Sequence, residues 1–271
     1  MDKVINLGIP HVGELIFESI NTPGLINCLE VSETWKVLAE NVLIKRWKGK
    51  MFQACNRGYV EVVKLLVQHS DNIDLNARYN RGQTAFIGVC RYGRLQIVKF
   101  LLTNPNIELN TGDNEGWTAF MWACSNGHKD VVKVIIEYSD KIELNARDND
   151  GLTALMEACI HGQKDVVNLL LNNSEIIDFN ARRNDGSTAF MIACGKGHKD
   201  VVKLLLDHSK RIELNARTKF GWTAFMLACE NGHKDVVQLL LDHSERIELN
   251  ARTKSGRTAF ISACEHGHKD V

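Results

Sequence analysis

Cysteine and histidine recur together along this chain, and they are the residues whose chemistry has to be decided first. Four such pairs are spaced four residues apart: Cys124 and His128, Cys194 and His198, Cys229 and His233, and Cys264 and His268. Both side chains bind zinc, but a zinc site needs four ligands that converge on one point. A glycine lies between the two members of each pair, which predicts that they belong to different helices. We therefore interpret the cysteines as core residues and the histidines as helix-start residues, with no metal and no cofactor.

Seven of the eight cysteines occupy one phase of a repeat. Successive members are 35, 34, 35, 35, 35 and 35 residues apart: Cys55, Cys90, Cys124, Cys159, Cys194, Cys229 and Cys264. A disulfide framework would not normally place one cysteine per period at the same phase, so we expect small, buried, reduced thiols. Reduced thiols in this number indicate a reducing compartment, the cytoplasm or the nucleus.

No arrangement of residues typical of catalysis is found. The carboxylates Asp130, Asp165, Asp200 and Asp235 recur at one helix-start position, which makes them structural. There is no phosphate-binding loop, nucleophile elbow or paired-histidine metal motif. The 271 residues include 33 basic and 33 acidic ones, a balance that argues against nucleic acid as the partner. No stretch approaches the roughly 18 apolar residues that span a bilayer, so we expect no membrane partner. Protein binding, rather than an enzymatic reaction, is the expected function.

A repeat of 35 residues positions these side chains. One unit reads Gly-Trp-Thr-Ala-Phe-Met-Trp-Ala-Cys-Ser-Asn-Gly-His-Lys-Asp-Val-Val, over residues 116–132. Similar phrases start at Gly151, Gly186, Gly221 and Gly256, and weaker copies start at Gly82 and Met51. Each unit is predicted to form two helices: in one of them Thr223 caps the first helix, Gly232 ends it, and Asp235 favours the start of the second. Helices this short are marginal alone, so the units must stabilise one another by stacking.

These marks together resemble the ankyrin repeat. The family pattern of Gly-x-Thr, an apolar pair, Ala-Ala, Gly-His, Val-Val-x-Leu-Leu and Asn-Ala recurs in register over residues 49–271, in about six and a half units. The resemblance implies an all-α solenoid of helix–turn–helix units with hairpin fingers. The period is about two residues longer than usual, which should lengthen a loop without changing the fold. Methionine replaces the usual first-helix histidine at four positions: Met121, Met156, Met191 and Met226.

The last unit stops at Val271, inside its predicted second helix. Its apolar stripe is absent, whereas terminal units of such arrays normally carry a polar cap. We therefore expect that the chain is a fragment or an incomplete gene product.

The units differ most at the predicted fingertips, on either side of the repeated glycine. In ankyrin proteins these tips and the end of the first helix line a groove, so we expect partner specificity where the units vary. Aromatic and arginine side chains dominate interface hot spots. The predicted target-binding residues are Tyr79, Arg81, Tyr92, Trp117, Phe220, Trp222 and Arg257. Partial packing on the neighbouring finger is the alternative for Trp117, Phe220 and Trp222.

Residues 1–48 do not follow the repeat, and their turn residues predict three short helices. Six elements occur in the order of an F-box, which this segment resembles: Ile9-Pro10, Glu14-Leu15, Ile16-Phe17, Leu25-Ile26, Val31-Ser32 and Trp35. The resemblance implies binding to the Skp-type adaptor of a cullin–RING ubiquitin ligase. The implied adaptor contacts, all expected to be exposed, are Pro10, Leu15, Ile16, Leu25, Val31 and Trp35. The alternative is a plain helical cap for the array, because so small a segment cannot bury its apolar residues well alone.

The sequence is compatible with two functions. In the first, the N-terminal segment docks on the ligase adaptor and the groove holds a target protein, whose identity the sequence does not reveal. In the second, the chain is an ankyrin scaffold with no link to a ligase. Both require a protein partner and neither requires a catalytic residue.

Overall fold

The computed structural model describes residues 17–69, 73–208 and 210–271, and within these ranges the regular structure is helical, with no β-strand. Residues 17–19 are helical, and α1 (Thr22–Cys28) and α2 (Glu33–Trp47) follow them. Six helix pairs come next: α3 (Met51–Arg57) with α4 (Val60–His69), α5 (Ala85–Arg91) with α6 (Leu95–Leu102), α7 (Ala119–Ser125) with α8 (Lys129–Ile136), α9 (Ala154–Ile160) with α10 (Lys164–Leu171), α11 (Ala189–Lys196) with α12 (Lys199–Asp207), and α13 (Ala224–Glu230) with α14 (Lys234–Leu241). A 3₁₀ turn (Asn80–Gly82) precedes α5, and α15 (Ala259–Glu265) is the last helix. The predicted all-α solenoid is confirmed.

The helices stack in two layers. The first helices of successive units, α3, α5, α7, α9, α11, α13 and α15, pack against one another, and the second helices α4 to α14 do the same. The core lies between the layers. The four methionines that replace histidine are at most 1% exposed, so they fill the core instead of offering polar groups.

Each first helix from α5 onward begins at a threonine cap. The hydroxyl oxygen of Thr118, for example, accepts a hydrogen bond from the backbone N–H of Met121 at 3.3 Å, and the same bond recurs at every later unit and at Thr84. The helix stops where a glycine takes a left-handed conformation, as Gly232 does with φ of 69°. A side chain other than glycine would be strained there, which explains why the stop recurs. The predicted cap and stop are both confirmed.

The repeated cysteines lie in the core, with one exception. Six of the seven are buried, whereas Cys264 in α15 is exposed, and the expectation of a buried thiol is wrong at that position. Burial raises the pKa of the Cys55 thiol to about 12 and that of Cys229 to about 11. These thiols stay protonated at neutral pH and behave as small apolar groups.

From Arg94 onward, the residue at the start of the second half of each unit hydrogen-bonds to the unit before it. His198 Nε2 donates to the carbonyl oxygen of Ile160 at 2.9 Å, and the equivalent bond is made by His128, His233 and His268. Arg94 and Gln163 replace histidine in two units and donate to the equivalent carbonyls. These carbonyls belong to the last turn of a first helix, where no intrahelical partner exists. The histidines therefore join neighbouring units, while the cysteines four residues earlier lie in the core.

A ladder of asparagines joins the loops on the other side of the second helices. Asn180 Nδ2 donates to the carbonyl oxygen of Arg211 at 2.8 Å, and its Oδ1 accepts from the Glu213 N–H at 2.9 Å. The same pair of bonds links each unit to the next at four further positions: Asn76, Asn110, Asn145 and Asn215. One amide thereby satisfies both an acceptor and a donor of the neighbouring backbone.

The N-terminal segment packs on the first unit. Helix α2 lies against α4, and the ring of Trp47 meets that of Tyr59 edge to face, with centroids 5.3 Å apart. Trp47 Nε1 donates to the Thr22 hydroxyl at 3.2 Å, which fixes α1 to α2. This arrangement covers the end of the repeat core, as a helical cap would. The boundary between the N-terminal segment (1–48) and the repeats (49–271) stays a prediction.

The implied adaptor contacts fall into three groups. Pro10, Leu15 and Ile16 lie outside the described residues. Leu25 is completely buried in the N-terminal core, so the expectation that it is exposed is wrong: the N-terminal helices cover it themselves. Trp35 is half-buried beside Phe17, with ring centroids 5.4 Å apart. Val31 is 58% exposed, as expected.

We predict that Asn180→Ala lowers the free energy of unfolding by about 1–2 kcal/mol, because it removes two hydrogen bonds between units. Urea denaturation of the full chain measures this change. Asn172→Ala is the matched control, since this exposed asparagine ends α10 without a bond to the next unit. Equal destabilisation by the two variants would contradict the role assigned to the ladder.

Candidate protein-binding face

The fingers of neighbouring units are joined through their backbones. N–H groups donate to carbonyl oxygens of the preceding finger at 2.8–3.1 Å in five places: Asn114 to Arg81, Asn149 to Glu115, Asn184 to Asp150, Lys219 to Asp185, and Lys254 to Phe220. Gly116 has a φ of 84°, and a side chain there would meet the Asp148 Cα at about 3.0 Å. The contact between fingers therefore fixes the backbone and leaves the tip side chains free to vary.

One position of each first helix faces the same side as the fingertips. Trp122, Ile192 and Leu227 occupy it, and they are half-buried while the methionine and alanine beside each of them are buried. The other units have Gln53, Gly88, Glu157 and Ser262 at this position. No two units therefore carry the same residue there. We call the surface formed by the fingertips and this helix position the groove face.

Three of the predicted target-binding residues lie towards the N-terminal end of the groove face. Tyr79 stacks on Phe52 with ring centroids 4.6 Å apart. Arg81 is exposed at a fingertip, where its φ of 61° is unusual for a residue other than glycine. Tyr92 is 45% exposed at the end of α5, and the Arg91 guanidinium lies 5.6 Å from its ring centroid.

A pair of tryptophans forms the next part of the face. The ring centroids of Trp117 and Trp122 are 4.6 Å apart, and Arg91 lies 4.2 Å from the centroid of Trp122. Trp122 Nε1 donates to Asp113 Oδ2 at 3.0 Å, while Asp113 Oδ1 accepts the N–H of Trp117 at 3.0 Å. Trp117 is half-buried against this partner, not fully exposed. Sequence reasoning missed Trp122 and Arg91, although the variation at their helix positions was a signal that could have found them.

The remaining predicted residues lie near the C-terminal end and do not meet the first group. Phe220 is 66% exposed at a fingertip, whereas Trp222 is half-buried. Arg257 is held by an ion pair with Glu265 at 3.0 Å. The units between the two groups present Leu152 and Ser187 after their glycines, and both are buried. The predicted anchors thus form two clusters on one face.

Glu157 occupies the Trp122 position of the next unit, and its environment is unusual for a carboxylate. The residue is 1% exposed, and its Oε1 is buried without a hydrogen-bond partner. Asp148 stands in the place that Asp113 has beneath Trp122, so two carboxyl groups face each other. Burial first, and then Asp148, raise the pKa of Glu157 to about 7, while Arg183 lowers it in part. Sequence reasoning also missed this residue.

Within residues 17–69, 73–208 and 210–271, no group of three or more His, Cys, Asp or Glu side chains is placed to hold a metal ion. None of the helices in that part of the chain has the length and apolar character needed to cross a bilayer.

Comparisons with known proteins agree with this architecture. The sequence profile described as "Ankyrin repeats (3 copies)" matches residues 50–148, 89–182, 140–218, 173–252 and 210–271. The chain belongs to the ankyrin repeat family, whose repeats form protein–protein interaction domains and are generally not enzymes. The match begins at residue 50, so the F-box-like segment lies outside it. No curated protein sequence matches the chain significantly.

Solved structures share the fold. The ankyrin repeat domain of Bcl-3, a member of the IkappaB protein family, has a TM-score of 0.68 and 23% identity, over 79% of this chain and 92% of that one. The ankyrin repeat domain of human ASB11 has a TM-score of 0.66 and 22% identity, over 79% of this chain and 90% of that one. At such identities the likeness concerns the fold alone.

We predict that Glu157→Gln stabilises the protein increasingly as the pH rises. The folded state retains a proton up to about pH 7, whereas the unfolded carboxyl releases it near its ordinary value of 4.5. The unfolded state thus binds fewer protons between these values, and stability falls as pH rises across that window, by at most about 3 kcal/mol. Glutamine removes this loss.

Urea denaturation at about pH 5 and about pH 8 measures the effect, because most of the loss of stability falls between these two pH values. The exposed Glu115→Gln is the control, and it should change stability equally at both pH values. A difference between wild type and Glu157→Gln that does not grow with pH would contradict the raised pKa.

Proposed function

We propose that the groove face holds a target protein and that its two aromatic clusters are the anchors. The observation that carries the proposal is the contrast between a fixed backbone and variable side chains. Threonine caps, histidine bonds and asparagine bonds repeat in the units, while the groove-face helix position differs in every unit. Side chains under no structural requirement are those that a partner can select.

The aromatic content of the face supports the same proposal. Phe220 projects an apolar ring into solvent at 66% exposure, and the Trp117–Trp122 pair is only partly covered. Large aromatic side chains lose little conformational freedom on binding and bury much area, which makes them frequent hot spots. Arg257 and Arg81 provide exposed charges at the two ends of the face.

We further propose that the protein is the substrate receptor of a cullin–RING ubiquitin ligase, with residues 1–48 docking on the Skp-type adaptor. The order of F-box-like elements supports this, and so do two exposed apolar side chains of the N-terminal segment. Val31, in the turn between α1 and α2, is 58% exposed, and Val37 on α2 is 54% exposed. Binding would then place target lysines near the ligase at high effective concentration.

The alternative is a scaffold whose N-terminal helices only cap the array. The packing of α2 on α4 favours a capping role for the buried face of α2. That role leaves Val31 and Val37 unexplained, because a simple cap needs a polar outer surface. The buried, protonated cysteines are consistent with a reducing compartment, and we propose the cytoplasm or the nucleus.

The target-binding proposal is tested with peptides selected from a displayed library of random dodecapeptides on the full chain. We predict that Trp117→Ala or Phe220→Ala weakens the selected peptides about thirtyfold, the loss of about 2 kcal/mol expected for a hot spot. Tyr138→Ala is the control, since this half-buried aromatic lies between the second helices α6 and α8. Thermal melting checks that the variants are folded. Peptides that respond only to Tyr138→Ala would place binding on the other face and overturn the proposal.

The ligase proposal is tested by measuring binding of the purified adaptor to the full chain. We predict micromolar or tighter binding that the double variant Val31→Glu, Val37→Glu abolishes, because charges replace exposed apolar contacts without disturbing the core. Ile176→Glu is the control, since Ile176 is an exposed apolar residue in a distant loop. No binding by the wild-type chain, or binding that survives the double variant, would leave the scaffold function in its place.

A further inference from the structure

The charges of the fingertips change sign along the groove face. The tips carry Arg81 at the N-terminal end, and Lys219 and Lys254 towards the C-terminal end. Between them, the tips of the third and fourth units carry Asp113, Glu115, Asp148 and Asp150. Net charge of the whole chain is zero, so this acidic stretch is a local feature of the face and not a property of the composition.

The two acidic fingers touch, so their charges act together. The Asn149 N–H donates to the Glu115 carbonyl oxygen at 3.1 Å, and Asn149 Nδ2 donates to the Asn114 carbonyl oxygen at 3.1 Å. Glu115 is exposed, and Asp150 has a side chain 71% exposed with only a long contact of 3.8 Å to Arg183. These two carboxylates form an exposed rim, which is bordered on the next finger by the Arg183 guanidinium, itself 3.6 Å from the Asp185 carboxylate.

The fourth unit, whose tip carries Asp148 and Asp150, also carries the buried carboxyl group of Glu157. Its Oε1 has no hydrogen-bond partner in a side chain that is 1% exposed. Asp148 and Arg183 act electrostatically on this carboxyl group. His161 Nε2 lies 3.8 Å from Glu157 Oε2, and about half of the His161 side chain is exposed. An unpaired buried acceptor costs free energy, and a donor supplied from outside would recover it.

The wall next to the rim is aromatic. Trp117 belongs to the same finger as Glu115, and it contacts Trp122 on α7, which packs against α9, the helix that carries Glu157. The face of a tryptophan ring attracts cations, as the position of Arg91 over Trp122 already shows within the chain. Carboxylates around an aromatic wall are complementary to an arginine or lysine side chain.

We propose that the centre of the groove face, formed by Glu115, Trp117, Trp122, Asp150 and Glu157, binds a basic segment of the partner protein. An arginine or lysine of that segment pairs with the Glu115 and Asp150 carboxylates and lies along the tryptophan wall. Its donor groups are directed towards the unpaired acceptor of Glu157. This assignment rests on the proposed function, because it names the chemistry of the partner at the same face.

The selected peptides provide the test. We expect that those weakened by Trp117→Ala carry arginine or lysine more often than the unselected library. The double variant Glu115→Lys, Asp150→Lys should weaken synthetic copies of these peptides at least tenfold, and their affinity should fall as salt is added. Measured at about pH 8, Glu157→Gln, which keeps the shape and removes the carboxylate, should weaken them by a smaller factor.

The matched control is Glu137→Lys, Asp140→Lys, which changes the net charge equally on exposed residues at the end of α8. It should leave the affinity for the peptides within about twofold, because salt screens the effect of exposed charges outside the groove face. Peptides that depend on Trp117 but lack basic residues, or that bind the Glu115→Lys, Asp150→Lys variant unchanged, would overturn the inference and leave the proposed function standing. Failure to select any peptide that depends on the groove face would overturn both.

Discussion

Hydrogen bonds between neighbouring units are the interaction on which the rest of the structure depends. Helices of seven to ten residues are marginal alone in water, and the units from α3 to α14 have two of them each. His198 donates to the Ile160 carbonyl oxygen, and Asn180 donates to the Arg211 carbonyl oxygen and accepts the Glu213 N–H, so each side chain satisfies backbone groups of a neighbouring unit. Each unit therefore completes its neighbour, and stability is a property of the stack.

This constraint separates the residues that must repeat from those that need not. Threonine caps, core cysteines and ladder asparagines hold the backbone, and Arg94 and Gln163 show that even the histidine can be replaced when the bond is kept. The residues just before and after the repeated glycine and the groove-face position of the first helix differ from unit to unit. Aromatic and charged side chains accumulate there, and Glu157 takes a place where a buried carboxyl group lowers stability. A cost of this kind is typical of a surface selected for binding.

The parts of the fold that depend on local signals were predictable from the sequence. Thr223, Gly232 and the cysteine phase each act within one unit, and a repeated signal reinforces itself in every copy. The sequence predicts His198 only as a helix-start residue. Its hydrogen bond could not be predicted, because the partner carbonyl belongs to the preceding unit. The sequence does not reveal that Leu25 is buried, because the residues that cover it lie on the other N-terminal helices. Trp122 and Glu157 were missed since their significance appears only when the first helices are stacked side by side.

The most direct test of binding at the groove face is hydrogen–deuterium exchange of the full chain with and without a bound, selected peptide. We predict added protection in the fingers and first helices around residues 113–122 and 148–157, while exchange in the second helices α8 and α10 stays unchanged. Protection confined to the second helices would contradict the claim that this chain binds its partner through the groove face.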